Sequence, residues 1–248
     1  MTVPGVSVCF PAYNEGSTIR AVLEDARTLL AGSGLDYEIL ICDDGSTDET
    51  SAIIRDVAAG DPRIRAWRHD RNQGIFATFE DLYAQAVKEF VFLNSTDEQW
   101  ETRVLFDLLP LTGSADVVIA SRRDKHYPPV RRVVSWAFNA LPALLFGVRV
   151  YDAGAVKLVR REIITRCALI SRSTFSEAER LIRAARLGYR IVEYPVDTRP
   201  RRAGRGRGAD WRVVRGAAVD LVRVWISIRR EPRKHEEIEV HEEGSQDP

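Results

Sequence analysis

Through its first half the chain switches repeatedly between short apolar runs and stretches of helical apolar spacing, and that alternation narrows the fold more than any single motif. Residues 6–11 form a strand-like run. Ile19, Val22, Leu23, Ala26, Leu29 and Leu30 then recur at helical spacing, which predicts one buried helix face. Residues 37–42 predict the next strand. It runs into Asp43-Asp44-Gly45 and then Ser46-Thr47-Asp48-Glu49, a capping box expected to open a second helix. A third strand is expected at 64–69 and a third helix at 75–87, carried by Phe76, Phe79, Leu82 and Ala86. Two more strand-like runs follow at 89–93 and 116–120. Strands alternating with helices predict an α/β chain with a mostly parallel sheet and helices on both faces.

The second half is less regular. A helix is expected at 130–146, strands at 155–159 and 189–196, and a helix at 177–187 between them. Residues 211–228 predict a further helix with Val214, Ala218, Leu221, Trp225 and Ile228 on one side. Arg212, Arg215, Arg223, Arg229 and Arg230 crowd the other. Such a helix suits a membrane interface, or it packs back on the domain. Beyond Glu231 the chain is polar and disorder is expected. The expected organisation is therefore an α/β domain over 1–208, a basic amphipathic helix over 209–230 and an acidic tail over 231–248.

Formal charge sums to zero, which hides a local excess: seven arginines stand against Asp210 alone between Arg199 and Arg215. Gly204, Gly206 and Gly208 interrupt that run, which suits a cationic loop approaching an anion better than a solvated helix face. No aromatic residue interleaves with the arginines of the glycine-interrupted loop at 199–207, so a nucleic-acid partner is disfavoured. Cys9, Cys42 and Cys167 show no paired spacing, and the first two lie in strand-like runs. They read as small buried hydrophobes in a reducing compartment. Residues 6–11 are too short and lack the basic lead of a secretory signal, so none is expected. No stretch reaches the length of a spanning helix. Residues 133–148 come nearest, interrupted by Ser135, Asn139 and Pro142, and predict either a core helix or a helix pair against a membrane surface.

In parallel sheets ligands bind beyond the carboxyl ends of the strands. Five polar clusters are expected there: Tyr13-Asn14-Glu15, Asp43-Asp44, Arg71-Asn72-Gln73-Gly74, Ser95 to Gln99, and Ser121-Arg122. Any one of them alone is ordinary turn chemistry. An acidic pair after the second strand can hydrogen-bond a nucleotide's base or ribose. No Gly-x-Gly-x-x-Gly follows the first strand, so hydride transfer is disfavoured. Asp97 is the natural carboxylate ligand for a hard divalent cation on a diphosphate, and Gln99 can add an amide oxygen. Such a metal would neutralise charge on a leaving diphosphate.

Taken in order, Pro-Ala-Tyr-Asn-Glu at 11–15, Asp-Asp-Gly-Ser-Thr-Asp at 43–48, Arg-Asn-Gln-Gly at 71–74 and the loop 95–99 resemble a family 2 glycosyltransferase of the GT-A fold. Arg132 to Ser135 with Asn139, residues 175–184 with Glu179, Leu187 to Val196, and Arg201-Arg-Ala-Gly204 resemble the polyprenyl-phosphate (dolichyl-phosphate) mannosyltransferase group. The resemblance covers about residues 5–208. It implies that Pro11, Tyr13, Glu15, Asp43 and Asp44, with Asn72 and Gly74 of the third cluster, contact the nucleotide. It places the metal motif on residues 95–99, where Asp97 and Gln99 match and Ser95 replaces the first acid. Arg122, Arg132, Ser135, Arg201 and Arg207 would hold the acceptor phosphate and the donor diphosphate, with Asp97, Arg132 and Arg201 at the reacting centre. Gly206 stands where the group has serine, and the group's Ser-Gly-Phe-Arg after Asp152 is only echoed by Ala155-Val156-Lys157.

The implied reaction is an inverting hexosyl transfer, with Mg²⁺ or Mn²⁺, from GDP-mannose or UDP-glucose to a polyprenyl phosphate. It would occur peripherally at the cytoplasmic face of the membrane, alone or with a membrane-anchoring subunit. A phosphate nucleophile is already anionic, so positioning and electrostatics carry the work and no general base is needed. A saccharide or small-molecule hydroxyl acceptor would need one, with Asp152 or Glu179 as candidates. Ser95 also leaves room for a nucleotide-sugar-binding protein weakened in catalysis.

Overall fold

A computed structural model describes residues 3–96, 100–122, 129–149, 155–197 and 211–230, with backbone alone at 129–135, 137 and 212. Its centre is a seven-stranded sheet in the order β3-β2-β1-β4-β6-β5-β7. The strands are β1 (Val6–Ala12), β2 (Tyr37–Asp43), β3 (Ile64–Arg68), β4 (Phe90–Leu93), β5 (Val117–Arg122), β6 (Lys157–Arg160) and β7 (Ile191–Val196). Pairs β1–β2, β2–β3, β1–β4 and β5–β7 are parallel, whereas β6 runs antiparallel to both β4 and β5. All strands except β6 therefore open toward one edge. The expected mostly parallel sheet is what forms.

Strand period decides which side chains feed which layer. Val6, Val8 and Phe10 face a core shared with Ile19, Leu23 and Leu30 of α1 (Ile19–Ala31) and with Ile39 and Ile41 of β2. Cys9, Leu40 and Cys42 point the other way, onto Leu82 and Tyr83 of α3 (Ile75–Gln85). Burial on both faces is why β1 and β2 read as near-continuous apolar runs. All three cysteines are buried and free, as the setting of Cys9 and Cys42 predicts for those two, and burial pushes each thiol up.

α2 (Thr50–Ala59) does not start where the sequence suggests. The Ser46 hydroxyl is taken by the Asn14 amide at 2.9 Å, so the expected capping box does not form. Asp48 replaces it: its Oδ1 accepts the Thr50 amide at 3.0 Å and the Thr50 hydroxyl at 2.6 Å. After the short α4 (Val104–Leu108), α5 (Pro129–Phe146) forms one helix with Pro142 inside it, not a pair. Phe138 packs edge-on to Phe175, while Trp136 is 71% and Leu144 81% exposed. α6 (Arg161–Arg166) and α7 (Ser176–Arg186) complete the layer on which α8 (Trp211–Arg230) rests.

The face of α8 differs from the expected one. Ala217, Asp220, Val224 and Ile228 are buried, and Ala218 points outward. Asp220 turns the helix, because its Oδ2 accepts the Arg172 amide at 3.0 Å, a polar anchor that apolar spacing cannot reveal. Trp211, Val219, Val222 and Ile226 are thereby left exposed beside Arg215, Arg223, Arg229 and Arg230. Among the described residues no helix is long and apolar enough to cross a membrane. The tail at 231–248 lies outside the described residues.

Candidate active site

β1 and β2 pair in register from Val6↔Tyr37 to Ala12↔Asp43, so both strands release their loops at the same level. The two loops then clamp each other. Asn14, held at φ 55°, accepts the Thr47 amide on Oδ1 at 2.8 Å, and the Glu15 amide donates to Thr50 Oγ1 at 2.8 Å. Thr18 donates from its hydroxyl to Glu15 Oε2 at 3.1 Å and lies 3.1 Å from the Thr96 carbonyl. The Thr96 hydroxyl in turn donates to the Pro11 carbonyl at 3.1 Å. Tyr13 remains exposed at the mouth.

The acidic pair divides its work. Asp43 is 1% exposed; its Oδ1 accepts the Ser46 amide at 2.9 Å, and its buried Oδ2 has no hydrogen-bond partner. Arg68 Nε approaches that oxygen only to 3.6 Å. A buried carboxylate oxygen kept open is costly unless a ligand donor fills it. Asp44 is already occupied. Its Oδ1 accepts from His69 Nδ1 and the Gln73 amide, each at 2.8 Å, and its Oδ2 accepts the Gly74 amide at 2.9 Å. Asp44 therefore shapes the loop carrying Asn72 and Gly74, and Asp43 keeps the free valence. Sequence reasoning did not separate the two.

That loop needs Gly45. Its φ is 71°, and a Cβ there would lie 2.6 Å from the Arg71 carbonyl carbon and 2.8 Å from the Asn72 nitrogen. Neither atom can swing aside as a side-chain tip would. Gly45→Ala should cost at least about 2 kcal/mol of stability and displace the Asn72–Gly74 strip. Urea unfolding checks it, and an unchanged midpoint would refute the close approach.

At the end of β4, Ser95 donates its amide to Asn94 Oδ1 at 2.8 Å. Asp97 and Gln99 lie outside the described residues, as do Asp152, Arg201 and Arg207. Thr96, bonded to Pro11 of β1 and to Thr18 ahead of α1, ties the start of the 95–99 segment to the loop after β1. Among the described residues no group of three or more His, Cys, Asp or Glu could hold a metal. The oxygen donors of Asp97 and Gln99, completed by ligand phosphates, fit Mg²⁺ or Mn²⁺. Arg122, the last residue of β5, lays its guanidinium 5.1 Å from the Trp100 ring centre, on the same edge. Arg132 and Ser135 fall in the first two turns of α5.

Glu179 is not available as a base. It is fully buried and accepts the Ser171 amide at 2.8 Å, the Ile170 amide at 3.1 Å and Arg183 Nε at 2.7 Å. A second buried system, which apolar spacing does not signal, lies alongside. Glu177 Oε2 accepts from Lys157 Nζ at 2.9 Å and from the Tyr83 hydroxyl at 3.0 Å. Arg180 reaches Glu177 Oε1 at 3.4 Å, bonds Glu80 and stacks 4.4 Å over the Tyr83 ring. Burial pushes Glu177 up, but Lys157, Arg180 and the Lys157 and Tyr83 hydrogen bonds outweigh it and hold its pKa below the ordinary value. Lys157 sits between Leu93 and Ile119 in the register, at the end of β4.

The fold is the GT-A architecture of glycosyltransferases. The chain belongs to the glycosyl transferase family 2, whose pattern it matches over residues 7–178. It is 28% identical over 247 residues to the glycosyltransferase AglD of Haloferax volcanii, covering 92% of this chain but 38% of that protein. It is 26% identical over 238 residues to the undecaprenyl-phosphate mannosyltransferase of Micrococcus luteus, covering 91% of this chain and 96% of that one. Glucosyl-3-phosphoglycerate synthase from Mycobacterium tuberculosis, solved with Mn²⁺, UDP and glucosyl-3-phosphoglycerate, shares the fold. Its TM-score is 0.70 at 20% identity, covering 89% of this chain and 80% of that one. So does the mannosyltransferase PcManGT from Pyrobaculum calidifontis with GDP-Man and Mn²⁺, at TM-score 0.64 and 21% identity, covering 94% and 66%.

Proposed function

We propose that this glycosyltransferase moves a hexose, mannose or glucose, from a nucleotide-diphosphate sugar to a polyprenyl phosphate, with inversion, at the cytoplasmic face of a membrane. The observation that carries the donor half is the buried Asp43 oxygen without a hydrogen-bond partner, which suits a base or ribose donor. Pro11, Tyr13, Glu15, Asn72 and Gly74 would supply the remaining nucleotide contacts, and Asp44 holds the loop at 72–74 in shape. The acceptor half draws on the likeness to the undecaprenyl-phosphate mannosyltransferase across nearly its whole length.

Two anions must approach each other in this reaction, so cations supply most of what the protein contributes. Arg122, Arg132 and Ser135, with Arg201 and Arg207 of the glycine-interrupted loop, take the acceptor phosphate and the donor diphosphate. When bound by Asp97 and Gln99, Mg²⁺ or Mn²⁺ supplies Lewis-acid neutralisation of the leaving diphosphate. The acceptor oxygen needs no proton removed, which agrees with Glu179 being spent on backbone amides.

The outer faces of α5 and α8, with Trp136, Leu144, Trp211, Val222 and Ile226 among arginines, suit peripheral contact with an anionic lipid surface. On this reading 1–208 is the catalytic unit, 209–230 the surface-seeking helix and 231–248 the tail, working alone or with a membrane-anchoring subunit. Labelled GDP-mannose or UDP-glucose, polyprenyl phosphate and Mg²⁺ or Mn²⁺ test the reading. A labelled organic-soluble product is expected from one donor, and none from either donor would sink it.

A further inference from the structure

His69 stands just beyond β3, 7% exposed, and none of the contacts proposed above employs it. Its amide donates to the Asp43 carbonyl at 2.9 Å, which fixes its backbone to the end of β2. Its ring lies between two carboxylates: Nδ1 is 2.8 Å from Asp44 Oδ1, and Nε2 is 2.7 Å from Asp81 Oδ2 on α3. A carboxylate only accepts, and a neutral imidazole carries one N–H, so serving both takes the doubly protonated ring. The other close group is Cys42 Sγ, 3.4 Å from Nε2. Burial, then Asp81, Asp44 and Asp43, push that thiol up to about 12, so it brings no competing charge. Burial also opposes the charged ring, but the hydrogen bonds and charges of Asp44 and Asp81 prevail and raise its pKa above the ordinary histidine value.

Asp44 passes this constraint on. The oxygen that meets His69 also accepts the Gln73 amide, and its other oxygen accepts the Gly74 amide. Gly74, at φ 93°, directly precedes α3, the helix that carries Asp81. Ring, carboxylate, loop and helix thus close a circle, with the histidine joining its two halves.

We propose that His69 is the positioning residue of the nucleotide half-site: by donating to Asp44 and Asp81 together it locks the carboxylate that holds the Gln73 and Gly74 amides, and loss of one ring proton loosens that loop and its grip on nucleotide. Only the last clause rests on the nucleotide reading of this edge. The sign follows from the two donations. The folded state favours the charged ring, so its stabilisation is full below the ordinary histidine range and is lost as pH rises through the folded-state value.

Imidazole and amide NMR of the full chain from about pH 5 to about pH 9 tests this, with the His69 signal assigned by its absence in His69→Gln. The ring should titrate above the ordinary histidine value, and the Gln73 and Gly74 amides should shift with the same midpoint. Nucleoside diphosphate affinity in the presence of Mg²⁺ should fall about fivefold to tenfold across that midpoint. In His69→Gln the amide step should vanish and affinity stay at the weak level throughout. A ring titrating at or below the ordinary value, or amides indifferent to it, overturns the proposal, and so does a pH step that survives in His69→Gln. If the variant fails to fold, the wild-type titration alone decides. If the wild type binds no nucleotide at any pH, the donor reading falls, while the joint movement of ring and amides still decides the positioning role.

Discussion

Replacing Glu177 with glutamine should lower the unfolding free energy by about 3–5 kcal/mol, the usual cost of removing one member of a buried ionic group. Lys157 and Arg180 are almost wholly buried and share this carboxylate, and Tyr83 donates to it as well. Glutamine keeps the size and one acceptor but leaves two cations without the charge between them. Urea unfolding near neutral pH reads the effect. Adding Lys157→Met to Glu177→Gln should recover part of the loss, because the desolvated cation leaves with it. Glu177 has its pKa held below the ordinary value, so its contribution is present above the ordinary glutamate range and lost as pH falls through the folded-state value. A loss under about 1 kcal/mol would contradict the dependence of Lys157 and Arg180 on the Glu177 charge.

Asp43→Asn should weaken nucleoside diphosphate binding by about tenfold to a hundredfold, the worth of a hydrogen bond to a charged group. Stability should change far less, because the Ser46 amide can still find Oδ1 at its present 2.9 Å. The substitution turns the open acceptor into either a donor or a neutral oxygen. A ligand N–H or hydroxyl loses by both routes. Isothermal titration with GDP and UDP in Mg²⁺ measures this, and wild-type affinity in the variant would show that Asp43 Oδ2 faces no ligand. Asp44→Asn makes the contrast: it should act through the loop and lower stability as well, since three donors converge on Asp44.

Much of the scaffold was legible because burial on both faces leaves a simple trace. β1 and β2 had to be apolar along most of their length, and the helices between strands had to keep one apolar stripe. The strand-end clusters were legible for the same reason, since polar residues directly after a buried strand have only the edge to occupy. What escaped was polar and long-range. Ser46 suits a helix cap, but a hydroxyl serves whichever donor arrives, and Asn14 is 32 residues away. The rotation of α8 depends on Asp220 meeting the Arg172 amide, and Glu179 passes for a base until its three donors are seen. His69 gave no metal-like spacing because both of its partners are carboxylates on other elements. Its position directly after a strand, opposite an acidic pair, was the one available signal.

Acceptor choice is the most direct test of the account. A labelled nucleotide sugar should be offered, with Mg²⁺ or Mn²⁺, to polyprenyl phosphate, to the matching polyprenol and to 3-phosphoglycerate in parallel. Transfer to polyprenyl phosphate, with the label extracted as a phosphate-bearing lipid and the other two acceptors inert, is the predicted result. Label entering phosphoglycerate or the free alcohol, with polyprenyl phosphate inert, would contradict it.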